Sequence, residues 1–248
     1  MKIVVIGGTG LIGAHVVATL KEHGHEAVPA APRTGVNTLT GKGLEQALTG
    51  ASVVVDVSNS PSFEEKVATT FFRISTTNQL KAEVTAGVTH HVALSVVGTE
   101  RLQDSGYFRA KLLQEELIRD SGVPYSIVHA TQFFEFVKGI ADDATDGDTV
   151  RLAPVRIRPV CSTDVAAVLA RTATSAPLNG TVEIAGPDEF RLDELVREGL
   201  AAGNDHRTVV TDPGARYFGV ELEEDTLLPG RDAHITGTRF ADWITPRR

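Results

Sequence analysis

A single cysteine, Cys161, stands in 248 residues. One cysteine excludes an intrachain disulfide and any multi-cysteine metal site. Within "RPVCSTD" it reads as a small buried hydrophobe, and a reducing cytoplasm is the expected compartment. No apolar run approaches the roughly 20 residues of a membrane span. The apolar start "MKIVVIGG" breaks at two glycines, too soon for the apolar region of a signal peptide. Lys and Arg form no long run and the net charge is −8. Neither nucleic acid nor an anionic membrane is therefore an expected partner. The eight histidines lack HExxH spacing, and His90-His91 read as a surface pair ahead of a strand. "DDATDGD" (142–148) would need a ligand at Ala144 and a glutamate at Ala153 to be a calcium loop. No metal site is expected.

What is present is ordered. Hydrophobic residues make up 42%, enough for a substantial core in one domain. Ile3 to Ile6 form a short continuous apolar run, as in a parallel strand buried on both faces. Gly7, Gly8 and Gly10 break it, and from Leu11 the apolar period becomes helical: Leu11, Ile12, Val16, Val17, Leu20. Gly24 ends that helix, and Ala27 to Ala30 reads as a second strand. The glycines are spaced Gly7-x-x-Gly10-x-x-Gly13 at this strand-to-helix turn. There the amides from Thr9 through Gly10, Leu11 and Ile12 to Gly13 face an anion, helped by the helix dipole. This is the context of a dinucleotide-binding turn and of a Rossmann half. A P-loop is excluded, because Ala14 and His15 follow Gly13 where Lys-Ser/Thr would stand. The second strand ends in "AAPRT" with no carboxylate for the ribose hydroxyls. Arg33, with Thr34, is the candidate binder of a 2′-phosphate, because a guanidinium forks onto phosphate oxygens. NADP(H) is the expected cofactor, with NAD(H) as the alternative.

The alternation continues. Leu44 to Leu48 reads as a short helix and Ser52 to Ser58 as a buried strand. Ser62 and Glu65 form a capping box that opens a long helix. "HVALSVV" from His91 and "YSIVHA" from Tyr125 are further strands, with a helix over Tyr107 to Arg119 between them. This order predicts a doubly wound parallel sheet. Ligands bind beyond the carboxyl ends of such strands. Ser58 and Asn59 follow one strand, Ser95 ends another, and Thr131 and Gln132 follow a third. Phe133 and Phe136, just beyond, are candidates for a substrate wall. Tyr107 and Lys111 are one helical turn apart and share a face. Beside a nicotinamide, Tyr107 would donate a proton to a carbonyl oxygen. Lys111 would lower the phenol's pKa from about 10 and hold the cofactor ribose. Ser95 would hydrogen-bond the substrate oxygen. Ser95 has Ala93 and Val97 in place of the flanking glycines of a nucleophile elbow.

The glycine turn, "LSVVG" with Ser95, and "YFRAK" resemble the short-chain dehydrogenase/reductase superfamily. "TTNQLKAEVTAGVTHHVALSVVG", "ATQFFEF", "STDVAAVLA" and "TVEIAGPDEFRLDELV" resemble its atypical, NmrA-like, NAD(P)-binding branch, over nearly the whole chain. The resemblance implies a single α/β domain with a Rossmann-like doubly wound parallel sheet. Residues 1–130 would be mainly cofactor-binding, and roughly 131–248 would form a small C-terminal substrate-side lobe. It implies a catalytic Ser95, Tyr107 and Lys111, and places Asn78 where the superfamily often has a helix asparagine that supports a proton-relay water. It implies hydride transfer to a small carbonyl or quinone by a monomer or homodimer. A dinucleotide-binding redox sensor and an epimerase-like enzyme that retains its cofactor are the alternatives.

Overall fold

The computed structural model describes residues 1–245. They form β1 (Lys2–Ile6), α1 (Leu11–Glu22), β2 (Glu26–Ala30), α2 (Leu44–Leu48), β3 (Val53–Asp56), α3 (Glu65–Ala86), β4 (His90–Val96), α4 (Gly106–Arg119) and β5 (Tyr125–Ala130). After these come α5 (Val137–Asp143), β6 (Thr145–Asp146), β7 (Thr149–Leu152), β8 (Arg156–Ile157), α6 (Ser162–Ala173), β9 (Gly180–Ala185), β10 (Phe190–Arg191), α7 (Leu192–Ala202), β11 (Thr208–Thr211), β12 (His234–Ile235) and α8 (Phe240–Ile244).

The main sheet has the order β12-β9-β5-β4-β3-β1-β2, with parallel pairing of β1 to β2 and β3, and of β3 to β4. It is Rossmann-like, as the alternation predicts. β1 and β3 lie inside the sheet and are almost wholly buried, which explains their unbroken valines and isoleucines. The strand order reverses at β1, between β3 and β2, and that switch point is where a crevice opens. β2 is an edge strand whose Pro29 sits opposite Val5.

The chain divides into two compact units that interleave in sequence. The first contains Met1–Ser95, Gly106–His129 and Val165–Val182. Its short helix α2 spans five residues, too few to be stable alone. Leu44 and Leu48 hold it by burial with Val4, Ile6, Val54 and Val88. The expected capping box does not form. Helix α3 begins at Glu65 and Ser62 Oγ accepts the Glu64 N–H at 3.1 Å. The Glu65 carboxylate is taken by Arg109, at 3.0 and 2.7 Å. Gly106 is what lets α4 come so near, since a Cβ there would stand 2.2 Å from Glu65 Cβ.

The second unit contains Val96–Ser105, Ala130–Asp164 and the chain from Glu183. It has a three-stranded sheet, β11-β7-β6, and the antiparallel pair β10-β8. Helix α7 buries Leu192, Leu195, Val196 and Leu200 on one face. Phe134 packs against Phe240 and Trp243, with ring centroids 5.2 and 5.6 Å away.

His90 and His91 are not a surface pair: they open β4 and are 2% and 0% exposed. Each has an internal partner that the sequence does not display. His90 Nε2 lies 2.8 Å from Ser126 Oγ, and burial pushes its pKa down to about 4. His91 Nδ1 donates to Glu83, whose oxygens are 2.8 and 3.0 Å away. Burial works against the His91 charge, but Glu83, by charge and hydrogen bond, and Asp56 outweigh it and raise the pKa. The stability this gives is full below the unfolded histidine value of about 6.5 and is lost as pH rises through the raised folded value. At pH 6, Glu83→Gln should cost about 3–5 kcal/mol, because it strips a buried charge of its partner. The difference from the parent should shrink as pH rises through that raised value. Urea unfolding followed from pH 6 upward measures both.

Candidate active site

The glycine turn lies at the switch point and leaves no room for side chains. Gly7 has φ +76°, and a Cβ on it would come within 3.0 Å of Ser58 N. A Cβ on Gly13 would be 2.2 Å from Gly7 O. Gly10 is the N-cap of α1, and there no side chain covers the first amides of the helix. Leu11, beside them, is 51% exposed. This is a cradle shaped for an anion. At its lip Arg33 Nη2 donates to Thr9 O at 2.7 Å, with the guanidinium at the surface. Thr34 is differently employed: its hydroxyl accepts the Ala31 N–H and bonds Pro29 O and Ala31 O, closing its own turn.

The end of β3 is organised by Asp56, a buried carboxylate (1% exposed). Its Oδ1 accepts the Ser58 N–H at 2.9 Å and the Ser58 hydroxyl at 2.6 Å. Its Oδ2 accepts Gln79 Nε2 from α3 and Gln114 Nε2 from α4, each at 3.1 Å. Asn59 then projects from the strand end, and its Oδ1 accepts the Tyr107 hydroxyl at 3.0 Å. Gly7, Ser58, Asn59 and Tyr107 are therefore consecutive neighbours, from the anion cradle to the phenol.

Tyr107 is half-buried and ringed by Phe63, Phe72 and Phe108, with centroids 4.9, 6.2 and 5.8 Å away. Burial, opposed by the Asn59 bond, pushes its pKa up to about 12. This reverses the expected direction. The physical reason is where Lys111 goes. Its ammonium donates to Leu94 O at 2.9 Å and to Gln114 Oε1 at 2.5 Å, and lies 4.7 Å from the centroid of the Phe72 ring. Burial lowers its pKa to about 8, against the pull of Asp56 and Glu115. The two side chains share a helix face, but the lysine turns inward under β4.

Ser95 also looks inward. Its hydroxyl donates to Glu115 Oε1 at 2.5 Å, and His129 Nε2 and Arg119 Nη2 complete that carboxylate at 2.8 and 2.7 Å. Burial works to raise the Glu115 pKa, but His129, Ser95 and Lys111 together lower it. Ser95 thus gives its proton to an ionised carboxylate and offers the site only lone pairs. Asn78 does not join the group, for its amide holds the loop ahead of α2 through Thr38 O and Leu39 O, at 2.8 and 3.3 Å. Asp56, Gln114, Glu115 and His129 were not singled out from the sequence. Gln114 and Glu115 stand three and four residues beyond Lys111, on its own face, and an acid ending the run "VVVD" was a visible anomaly.

In the second unit, Thr131 N–H donates to Ile184 O at 3.1 Å and Gln132 O accepts the Val160 N–H at 2.9 Å. Phe133 forms a bridge with Val160. Phe136 stacks on Phe218, with centroids 5.9 Å apart and planes 20° from parallel. Among the described residues no three His, Cys, Asp or Glu form a group that could hold a metal ion, and no helix is long and apolar enough to cross a membrane.

Comparison with known proteins matches residues 3–79 to the NAD dependent epimerase/dehydratase family. No curated protein matches. Among solved structures, MoeE5 in complex with UDP-glucose and NAD is 19% identical, with a TM-score of 0.74 over 98% of this chain and 97% of its own. The NADPH-dependent quinone oxidoreductase QOR2 of Escherichia coli, complexed with NADPH, is 18% identical, with a TM-score of 0.70 over 98% of each chain. The dTDP-4-dehydrorhamnose reductase of Bacillus anthracis, in complex with NADP, is 13% identical, with a TM-score of 0.69 over 98% of this chain and 92% of its own. Residues 3–79 thus match the model of the NAD dependent epimerase/dehydratase family, and the chain as a whole shares the fold of these three nucleotide-cofactor-bound enzymes.

Proposed function

We propose that the chain is an NADP(H)-dependent oxidoreductase whose acceptor is a small ketone, aldehyde or quinone. The observation that carries the reading is the run of neighbours Gly7, Ser58, Asn59 and Tyr107, which puts one protonated phenol beside the anion cradle. The residues fit the cofactor. The first amides of α1 are left uncapped by any side chain at Gly10, which suits a diphosphate, and Arg33 suits a 2′-phosphate. NADPH bound there would supply the hydride. QOR2 holds NADPH and the B. anthracis reductase NADP, while MoeE5 holds NAD, so the choice over NAD rests on Arg33 and on the absence of a carboxylate after β2.

The chain's own part is to hold and move a proton. Tyr107 keeps its proton at neutral pH and can turn it from Asn59 Oδ1 to a substrate oxygen. Whether it then gives the proton up depends on that oxygen. An alkoxide is a far stronger base than a phenolate, its conjugate acid being about as weak as bulk water. Transfer from a phenol at about 12 runs downhill. A reduced quinone is itself a phenolate, with a conjugate acid near about 10. Tyr107 hydrogen-bonds it without ionising, and the product proton comes from solvent. Lys111 fixes the helix face on which Tyr107 stands and contributes positive charge behind it. Ser95, as acceptor, can orient an N–H or O–H of cofactor or substrate. Thr131, Gln132, Phe133 and Phe136 are assigned to the substrate.

A regulator that binds dinucleotide without turnover is the second reading, favoured by the engagement of Lys111 with Leu94 and Gln114. An epimerase-like use of a retained cofactor is favoured by the match at residues 3–79. Sustained NADPH oxidation with a panel of carbonyls and quinones separates the first reading from both.

Arg33→Ala should weaken NADPH by about 1–3 kcal/mol, the worth of one hydrogen bond to a charged group, and leave NADH nearly unchanged by calorimetry. Equal loss for both would place the 2′-phosphate elsewhere. Tyr107→Phe should cut turnover of ketones about 10²–10⁴-fold and that of quinones by far less, followed as loss of NADPH absorbance. A variant that reduces ketones like the parent would remove Tyr107 from the chemistry. NADPH affinity should decline as pH rises through about 8, where Lys111 loses its charge. Lys111→Met should bind weakly across that range with no such inflection, so the same decline in the variant would assign it to another group.

A further inference from the structure

In the second unit, Tyr217 and Val220 close a two-residue hairpin by exchanging backbone hydrogen bonds at 2.8 and 3.0 Å. Its two turn residues are Phe218, with φ +46°, and Gly219, with φ +84°. Such a turn needs left-handed backbone twice, which is why Asn-Gly is its preferred sequence. A bulky residue at the first position is a strained choice, and strain of this kind marks places where something besides folding is required. Contacts with Asp143, Tyr217 and Phe136 help hold Phe218 in it. Its N–H donates to the Asp143 carboxylate at the end of α5. Its ring meets Tyr217 edge-on at 4.8 Å and stacks on Phe136. The product is not core, for both stacked rings are only half-buried. On the segment leading to Phe136, Thr131 and Gln132 are 1% and 7% exposed. Thr131 Oγ1 and Gln132 Oε1 are buried with no hydrogen-bond partner among the described residues, a cost that a ligand's polar group would relieve.

We infer that Phe218 and Phe136, with Thr131 and Gln132 before them, form a subsite for a planar aromatic ring bearing a hydroxyl, the quinone–hydroquinone class. Stacked aromatic side chains offer such a ring flat contact, and the two unpartnered oxygens suit its hydroxyl. The inference deepens the reductase reading by naming its acceptor, and as an acceptor site it rests on that reading, but ring binding can be measured without turnover. Phe218 is then a specificity-determining residue.

The test uses the full chain and 1-naphthol, a planar hydroxyl-bearing probe that accepts no hydride, in equilibrium dialysis. Phe218→Asn relieves the turn and removes the ring. It should leave Tm equal or higher, weaken 1-naphthol about tenfold and raise KM for 1,4-naphthoquinone by a like factor with kcat little changed. Phe218→Trp should keep binding. Naphthalene, without the hydroxyl, should bind the parent more weakly than 1-naphthol, and equal binding would remove Thr131 and Gln132 from the subsite. If Tm falls as well in Phe218→Asn, Phe218→Leu decides. Tm restored without binding supports the subsite, and both restored makes the ring mere apolar filling and overturns it. Failure of the parent to bind 1-naphthol, or unchanged binding in Phe218→Asn, also overturns it. Quinone turnover with an unchanged KM in the variant would sink the subsite and leave the reductase standing. Binding that depends on Phe218 with no NADPH oxidation by any acceptor would do the reverse.

Discussion

A carboxylate removed from water must find donors for its lone pairs, and Asp56 finds four. They come from three places in the sequence: the turn after β3, helix α3 and helix α4. Hydrophobic contact can press two helices onto a strand without fixing their axial positions. Four hydrogen bonds onto one group do fix them, because each has a length and a direction. Once Asp56 has set Ser58, the next residue has little freedom, and Asn59 stands where it can receive the Tyr107 hydroxyl. Once Asp56 has set Gln114, the other end of that amide holds the Lys111 ammonium. The anion cradle, the phenol and the buried cation are thus referred to a single point.

Helix α4 shows what this arrangement asks of a sequence. Lys111, Gln114 and Glu115 are all nearly fully buried, on the face that an amphipathic helix normally gives to leucine. Each is matched: the lysine with a carbonyl and an amide, the glutamine with a lysine and a carboxylate, the glutamate with a serine, a histidine and an arginine. Buried polar networks of this kind specify one geometry, provided every member is satisfied. Here they specify a geometry in which the lysine's charge is spent beneath the strand. The phenol is left to its apolar neighbours, and that makes it a reluctant acid.

The features legible in the sequence were those in which chain-local physics and tertiary structure agree. The glycines of the first turn are required by steric contacts a few residues apart, and the valine-rich strands by burial on both faces. Both can be read from spacing alone. Readings failed where a long-range partner decided the outcome. His90 and His91 looked like surface residues because histidine is polar, and Ser126 and Glu83, which pay for their burial, are 36 and 8 residues distant. Glu65 met the pattern of a capping box, but an arginine 44 residues on offered a stronger partner than a backbone amide. Asn78 sat at the right place in a helix, yet a loop 40 residues back had two carbonyls for it. Tyr107 and Lys111 do share a helix face, and spacing cannot say that one of them turns inward.

Pro29 has a consequence beyond this chain. It lies in β2, the last strand of the main sheet on that side. A proline has no amide hydrogen to offer a neighbour, and for that reason it is confined to such outer positions. At the other end of the sheet stands β12, of only two residues. An open sheet is a template for accretion, and a flat, fully hydrogen-bonding margin invites another molecule to continue it. This sheet ends in a missing donor on one side and a two-residue stub on the other, so each margin offers a further strand few hydrogen bonds.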